Sequence, residues 1–92
     1  MVDAWPGVDP ELREYLREWR RVTSKKLSIA AFIIMHDTSL DHLCQVRPRS
    51  LAELRRVSGF GERKTELYGP DILTALERFH NGERIVAEAS EA

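Results

Sequence analysis

The chain has 92 residues, 42% of them hydrophobic and 32% charged, and a formal net charge of −1 at neutral pH. That length suits one small domain with a single core, and that balance excludes a disordered chain. One cysteine, Cys44, excludes an internal disulfide framework and is typical of a reducing cytosol. The longest apolar run, at 29–35, is too short to span a bilayer, and no basic, apolar leader opens the chain, so we expect neither a membrane span nor a secretory signal.

The chain opens with an irregular lead-in, residues 1–9, and the sequence predicts a first helix over residues 10–26. Asp9 followed by Pro10 is typical of a helix start, because the aspartate caps free N–H groups and proline suits the first helical position. Apolar side chains then recur at helical spacing and predict one buried stripe. The stripe consists of Leu12, Tyr15, Leu16, Trp19, Val22 and Leu27. We therefore expect Trp19 to be a core residue.

Residues 29–35 are apolar on all sides, so their spacing identifies neither a helix nor a strand, and we expect them to be mostly buried. A second clear helix is predicted from Asp37 as its N-cap. Its inward side chains are Leu40, Leu43 and Cys44. The helix should end before Pro48, because a residue that precedes proline avoids the helical region.

Ser50 and Glu53 form the pattern of a capping box and predict the start of a third helix. The residues of that helix expected to face inward are Leu51, Leu54 and Val57. The stretch that follows, GFGERKTELYGP at 59–70, places Phe60 between two glycines. Gly59 stands where a helix end favours a positive φ, and Gly61 where the next helix begins. Phe60 is expected to plug the core and fix this turn.

A short helix is predicted over 62–68 that stops at Gly69, and a last helix that starts with Pro70 in its first turn. The buried stripe of the last helix consists of Ile72, Leu73, Leu76 and Phe79. Together these elements predict an all-α domain, a compact five-helix bundle over residues 10–81. A flexible tail rich in alanine and glutamate is expected over 82–92.

Charge is unevenly distributed along the chain, although the net charge of the whole chain is close to zero. Residues 10–26 carry six basic and three acidic side chains, and residues 47–64 carry six basic and two acidic ones. The remaining stretches are all net acidic. Such a pattern is compatible with a nucleic-acid surface, because local charge sets the attraction for phosphate. A solvated helical surface would show the same pattern.

Two segments, LREYLREWRR at 12–21 and DTSLDHLCQVRPRSLAELRRVSGFGERKTELYGPDIL at 37–73, resemble the HRDC domain, a family named for helicases and RNase D. The ordered motifs that carry the resemblance are Leu16-Arg17, Asp37 to Leu40, Pro48 to Leu54, Gly59-Phe60-Gly61, Lys64 and Tyr68-Gly69. The resemblance covers residues 12–79. Phe32 stands where RecQ-type members often have an exposed tyrosine, which makes it a possible aromatic contact.

This resemblance implies a non-catalytic five-helix module, monomeric, of a RecQ-type ATP-dependent DNA helicase that acts in DNA repair and recombination. The module would contact single-stranded or structured DNA, and in some members the helicase core in cis or a protein partner. It would need no cofactor, since ATP and magnesium would bind only in the motor of the parent protein. The expected location is the bacterial cytoplasm, at the nucleoid.

Two groups of basic residues are candidates for phosphate contact. The first belongs to helix 1, where three arginines lie beside the apolar stripe, a fourth lies at the edge and two lysines lie at the helix end. In that order they are Arg13, Arg17, Arg20, Arg21, Lys25 and Lys26. Glu14 and Glu18 fall on a different face of the helical wheel, so we expect these cations to keep most of their charge available, with some pairing between residues four apart left open. The alternative that they only solubilise the helix remains open.

The second group surrounds the glycine turn and consists of Arg55, Arg56, Arg63 and Lys64. Gly59 and Gly61 resemble the hairpin of helix-hairpin-helix proteins, whose turn amides point at a DNA phosphate. Free N–H groups and a positive dipole end make such a helix start an anion site. We expect the glycines to serve turn geometry first and phosphate contact second.

Other functions find less support in the sequence. The segment HDTSLDHLC at 36–44 is rich in metal-binding residue types but lacks the spacing of a zinc site, so we expect no metal. No base and orienting group accompany Cys44, and the acidic quartet of RNase D nucleases has no counterpart. The near-neutral total charge and the acidic last helix leave open a protein-docking or regulatory module of a helicase or RNase D-like nuclease.

Overall fold

The computed structural model describes residues 8–82, and within that range the chain is helical without any strand. The helices are α1 (Pro10–Leu27), α2 (Ala31–Ile34), α3 (Asp37–Val46), α4 (Leu51–Leu54) and α5 (Glu62–His80). The prediction of an all-α, five-helix domain is confirmed. Most of the predicted lead-in and tail, at 1–7 and 83–92, lies outside the described residues. No helix in the described part of the chain is both long and apolar enough to cross a membrane.

Helix α1 begins as the sequence predicts. Asp9 is the N-cap, its Oδ1 accepts a hydrogen bond from the Glu11 N–H at 2.9 Å, and Pro10 is the first helical residue. The helix ends where Ser28 adopts a left-handed conformation with φ of 58°. Two lysines in the last turn favour this end, because cations stabilise the negative end of the helix dipole.

Helix α3 starts one residue away from the predicted position. His36 is the N-cap and makes no side-chain capping bond, so the prediction of Asp37 as the cap is wrong. Asp37 is the first helical residue, and its carboxylate accepts a hydrogen bond from Arg20 of α1 instead. The predicted end is confirmed, since the helix stops at Arg47, directly before Pro48.

The capping box at α4 forms with one change. Ser50 Oγ accepts from the Glu53 N–H at 3.2 Å, as expected, whereas Glu53 Oε1 accepts from the Arg49 N–H at 2.7 Å, one residue before the cap. Leu54 is fully buried, but Leu51 is 42% exposed, so the prediction that it faces inward is wrong. The short helix still presents a buried leucine to the core.

Helix α5 is continuous, so the predicted break at Gly69 and Pro70 is wrong. Gly69 is buried against α4, and a Cβ added there would lie 2.6 Å from Leu51 Cδ2 and 3.3 Å from Leu54 Cδ2. Pro70 removes one N–H from the helix, and the Thr74 hydroxyl donates to its carbonyl oxygen at 2.9 Å. Packing on both sides of the proline outweighs the local signal for a break.

The core draws on all five helices and on the turn before α5. Its members are Leu12, Leu16, Trp19, Ile34, Met35, Leu40, Leu43, Cys44, Leu54, Val57, Phe60, Ile72 and Ala75. The core assignments of Trp19 and Phe60 are confirmed. The expectation that residues 29–35 are mostly buried is wrong, because Phe32 and Ile33 are 60% and 48% exposed. Leu27, expected in the buried stripe of the first helix, is 48% exposed.

Candidate nucleic-acid interface

Two arginines of α1 bind the start of α3. Arg20 Nη1 donates to the Met35 carbonyl oxygen and its Nη2 to Asp37 Oδ1, each at 2.9 Å. Arg13 donates from Nε to the Asp41 carboxylate, one helical turn further along α3. The hydrogen bond from Arg20 holds the pKa of Asp37 below its usual value. These two ion pairs join α1 to α3. The two arginines, which the sequence predicted to contact phosphate, are therefore paired within the fold.

The remaining cations of α1 divide into paired and unpaired ones. Arg21 pairs with Glu18 three residues earlier, which lowers the pKa of Glu18 through the hydrogen bond between them. The expectation that the helix-1 arginines lie clear of acidic partners is therefore wrong for Arg21, as it is for the two that bind α3. Arg17, Lys25 and Lys26 make no ion pair within residues 8–82.

The turn between α4 and α5 is fixed against α3. Gly59 has a φ of 89° and lies so close to α3 that an added Cβ would be 2.3 Å from Ser39 Oγ. The Ser58 N–H donates to His42 Nδ1 at 2.9 Å, and Phe60 is 3% exposed. The positive φ predicted at the first glycine is confirmed. This turn is rigid because its backbone, its glycine and its aromatic side chain each contact the body of the domain.

The start of α5 offers amide groups on an open surface. Gly61 is the N-cap, no side chain caps the helix, and nothing lies within 4 Å of a Cβ added there. The first N–H groups of a helix have no partner inside the helix and lie at the positive end of its dipole. Arg63 and Lys64 follow in the first turn, with Glu62 as the acidic neighbour. This arrangement is able to hold an anion.

Four cations surround this turn without any ion pair in the described range: Arg55, Arg56, Arg63 and Lys64. Of these, only Lys64 is partly buried. Helix α1, by contrast, has three of its six cations paired. Among the described residues, more cations without ion pairs therefore lie at the α4–α5 turn than on α1.

Helix α3 lies between the two basic groups. Its Asp37 and Asp41 bind arginines of α1, whereas Ser39 and His42 contact the turn before α5. These two pairs of residues fall on different faces of the helix. The two basic groups are thus held on either side of α3 by contacts that fix their relative positions.

The family model of the HRDC domain matches residues 9–76, most of the chain. This chain belongs to the HRDC domain family. Domains of this family are non-catalytic auxiliary parts of helicases, as the resemblance in the sequence implied. A solved structure, the third HRDC domain of Deinococcus radiodurans RecQ, is 41% identical, has a TM-score of 0.70, and aligns over 74% of this chain and 90% of its own.

Curated relatives of this HRDC domain are bacterial helicases. The ATP-dependent DNA helicase UvrD2 of Mycobacterium tuberculosis, like that of Mycobacterium bovis, is 36% identical over 66 residues, which are 72% of this chain and 9% of the relative. The ATP-dependent DNA helicase RecQ of Pasteurella multocida is 27% identical over 70 residues, 76% of this chain and 11% of the relative. The chain thus spans about a tenth of the length of these relatives.

Phe32 of this HRDC domain is exposed at the start of α2, and its ring stacks on that of His36, with 6.0 Å between ring centroids and 24° between planes. An exposed ring is able to contact a base or an apolar side chain. The contact with a ligand stays a prediction. The stacking on His36 could not be predicted, because the apolar residues 29–35 have no assignable period.

The carboxylate partners of the α1 arginines were missed in the sequence. Arg13 and Arg20 are seven residues apart, two turns of a helix, and Asp37 and Asp41 are four apart, one turn. Both pairs therefore lie along one face of their helix, which was a signal for a contact between helices. A further pair, Arg47 with Asp9 at 3.2 Å, joins the end of α3 to the start of α1.

Side chains with other chemistry are placed as structural residues. Burial raises the pKa of the Cys44 thiol to about 12, which makes it a poor nucleophile. Among the described residues, no three histidine, cysteine or carboxylate side chains are grouped as metal ligands would be.

Proposed function

We propose that this HRDC domain is the auxiliary nucleic-acid-binding module of an ATP-dependent DNA helicase, and that it makes weak, sequence-independent contact with single-stranded or structured DNA. The observation that carries this proposal is the α4–α5 turn, where four cations without ion pairs in residues 8–82 flank, along the chain, the open start of a long helix. Phosphate oxygens accept hydrogen bonds from both amide and guanidinium donors.

Contacts of this kind reach the DNA backbone, and backbone contacts carry no sequence information. Preference would therefore come from the shape of the DNA. With only a few phosphates neutralised, we expect a dissociation constant on the order of 10⁻⁴ to 10⁻⁶ M at physiological salt. Arg17 would add a second, smaller contribution from α1.

The named relatives support a helicase rather than a nuclease as the parent protein, since they are UvrD2 and RecQ helicases. In that parent, ATP and magnesium would bind in the motor and this domain would contribute no cofactor site. We expect the parent to act at the nucleoid in the bacterial cytoplasm, in DNA repair or recombination. The domain would then hold DNA close to the motor rather than change it chemically.

The proposal is tested by titrating labelled oligothymidine with the domain and measuring fluorescence anisotropy at several salt concentrations. The double variant Arg63→Ala with Lys64→Ala should bind about tenfold more weakly, since it loses two phosphate contacts at the turn. The slope of log affinity against log salt should become shallower by about 1.4, because each contact on a single strand contributes about 0.7.

A matched control removes the same charge elsewhere. Arg49→Ala with Arg78→Ala also lowers the net charge by two, and both residues are exposed and lie outside the predicted interface. This control should bind within about twofold of the unmodified domain, because total charge has a smaller effect than direct contact. Equal weakening of both double variants would contradict a specific site at the α4–α5 turn.

A second function, docking of a protein, is favoured by a separate observation. Three large apolar side chains, Leu27, Phe32 and Ile33, are exposed within seven residues of one another. Exposed apolar clusters on a small domain are typical of interaction surfaces.

A further inference from the structure

The end of α1 and the middle of α2 form an exposed surface that is both apolar and basic. We name it the α1–α2 corner, and it consists of Lys25, Lys26, Leu27, Phe32 and Ile33. The three apolar side chains are 48%, 60% and 48% exposed, in chain order. Ser28, in its left-handed conformation, ends α1 three residues before α2 begins, and the two helices are in contact.

The charge of this corner is of one sign. Residues 19–36 contain four basic side chains and no aspartate or glutamate. Arg20 and Arg21 are already paired with Asp37 and Glu18. Lys25 and Lys26 are exposed and make no ion pair in the described part of the chain. The corner therefore presents two lysines without ion pairs in the described residues next to uncovered apolar surface, with Glu18 as the acidic neighbour of Lys25.

We propose that the α1–α2 corner docks an acidic protein segment that carries apolar side chains. Carboxylates of such a segment would pair with the two lysines, and its apolar side chains would cover Leu27, Phe32 and Ile33. Leu27 and Ile33 have no flat face on which a nucleic-acid base could stack, which favours protein over DNA as the occupant. This proposal rests on the second function above, names the chemistry of its partner, and uses none of the residues of the α4–α5 turn.

The test uses the whole domain and three end-blocked peptides that carry a fluorescent label. The probe is Glu-Glu-Leu-Phe-Glu-Leu, the first control replaces every glutamate by lysine, and the second replaces every leucine and phenylalanine by serine. Anisotropy should show saturable binding of the probe only, and amide NMR shifts should centre on residues 25–33. Binding of the serine control as tight as that of the probe would overturn an apolar docking site.

Two variants with the same charge change separate this site from the DNA site. Lys25→Glu with Lys26→Glu should weaken the probe peptide about tenfold, because two attractive pairs become repulsive. Arg55→Glu with Arg56→Glu should leave the peptide within about twofold and weaken oligothymidine instead. Circular dichroism confirms the fold of each variant.

Equal loss of peptide binding in both double variants would overturn the proposal, since attraction to the basic domain as a whole would then explain it. The proposal would also be overturned if oligothymidine displaced the peptide and shifted the amide signals of residues 25–33. The corner would then be a nucleic-acid site. Failure of the Arg55 and Arg56 variant to weaken DNA concerns the proposed function alone. The two results are therefore distinguishable.

Discussion

Arg17 and Arg20 look alike in the sequence but have different surroundings in the fold. The Arg20 side chain is 12% exposed and bonds to residues 15 and 17 positions further along the chain. Arg17, one turn earlier, is exposed and makes no ion pair in residues 8–82. The spacing of charges on one helix shows which residues share a face, but it does not show which carboxylate faces them from another helix. Residue type alone thus could not separate a structural arginine from a free one.

We expect Arg20→Ala to lower the free energy of unfolding by about 2 kcal/mol, since it removes hydrogen bonds that a charged, largely buried group makes to Met35 and Asp37. Arg17→Ala is the matched control and should change the free energy by less than about 0.5 kcal/mol, as exposed substitutions do. Urea unfolding followed by circular dichroism measures both. Similar values for the two variants would contradict a structural role specific to Arg20.

The same contact predicts a dependence of stability on pH. The hydrogen bond from Arg20 lowers the pKa of Asp37 in the folded state, against the opposing effect of burial. A carboxyl group of this kind stabilises the fold above its unfolded pKa and loses that contribution as the pH falls through the folded value. Because the Asp37 side chain is 68% exposed, solvent screening keeps the effect small.

We therefore expect the unmodified domain to lose stability below about pH 4, near the unfolded pKa of aspartate, and Asp37→Asn to lose less over the same range. The measurement is a series of urea unfolding curves at decreasing pH. The difference between the two proteins isolates Asp37 from other carboxyl groups such as Glu18. Parallel acid limbs would show that this ion pair contributes nothing to acid sensitivity.

At the scale of elements, the sequence predicted most features that adjacent residues decide. The cap at Asp9, the bond from the Glu53 N–H to Ser50 and the positive φ of Gly59 all depend on a few neighbouring positions. The continuity of α5 was missed because it depends on Leu54 and Leu51, which cover Gly69 from another helix. Contacts between helices keep α5 continuous, and the local sequence pattern does not reveal those contacts.

The two glycines of the α4–α5 turn should respond differently to substitution. Gly59→Ala should lower the free energy of unfolding by about 2 kcal/mol or more, because φ is 89° and the new Cβ would lie 2.3 Å from Ser39 Oγ. Gly61→Ala should cost less than about 1 kcal/mol, since its φ is −85° and the space around it is open. Thermal or urea unfolding of both variants checks this.

A large loss at Gly61 would contradict the view that its position is conformationally undemanding. Equal tolerance at Gly59 would mean that Ser39 and the turn rearrange at little cost. A larger loss of unfolding free energy at Gly59 than at Gly61 would show that the fold requires the first glycine. It leaves the second one as the place where backbone can approach a ligand closely.

For the whole molecule, the segregation of charge was visible in the sequence, but its three-dimensional use was not. Both basic segments are present, and α3 separates them. The family and the all-α fold followed from ordered motifs that extend over most of the chain. Which cations remain available depends on Asp37, Asp41 and Glu18, and two of these three belong to another helix. The sequence could therefore predict the set of candidate residues, but not which of them are available to bind phosphate.

A titration of the isotope-labelled domain with oligothymidine, followed by amide NMR shifts, shows how the basic groups act together. We expect the largest shifts over residues 55–64 and a smaller shift at Arg17, both with one midpoint, because α3 contacts both α1 and the turn. The C-terminal half of α5, over 73–80, should shift least, since it lies at the far end of a 19-residue helix from the turn. Separate midpoints would indicate two independent surfaces. Shifts confined to 73–80 would contradict phosphate binding at the turn, because Leu73 lies nine residues further along α5 than Lys64.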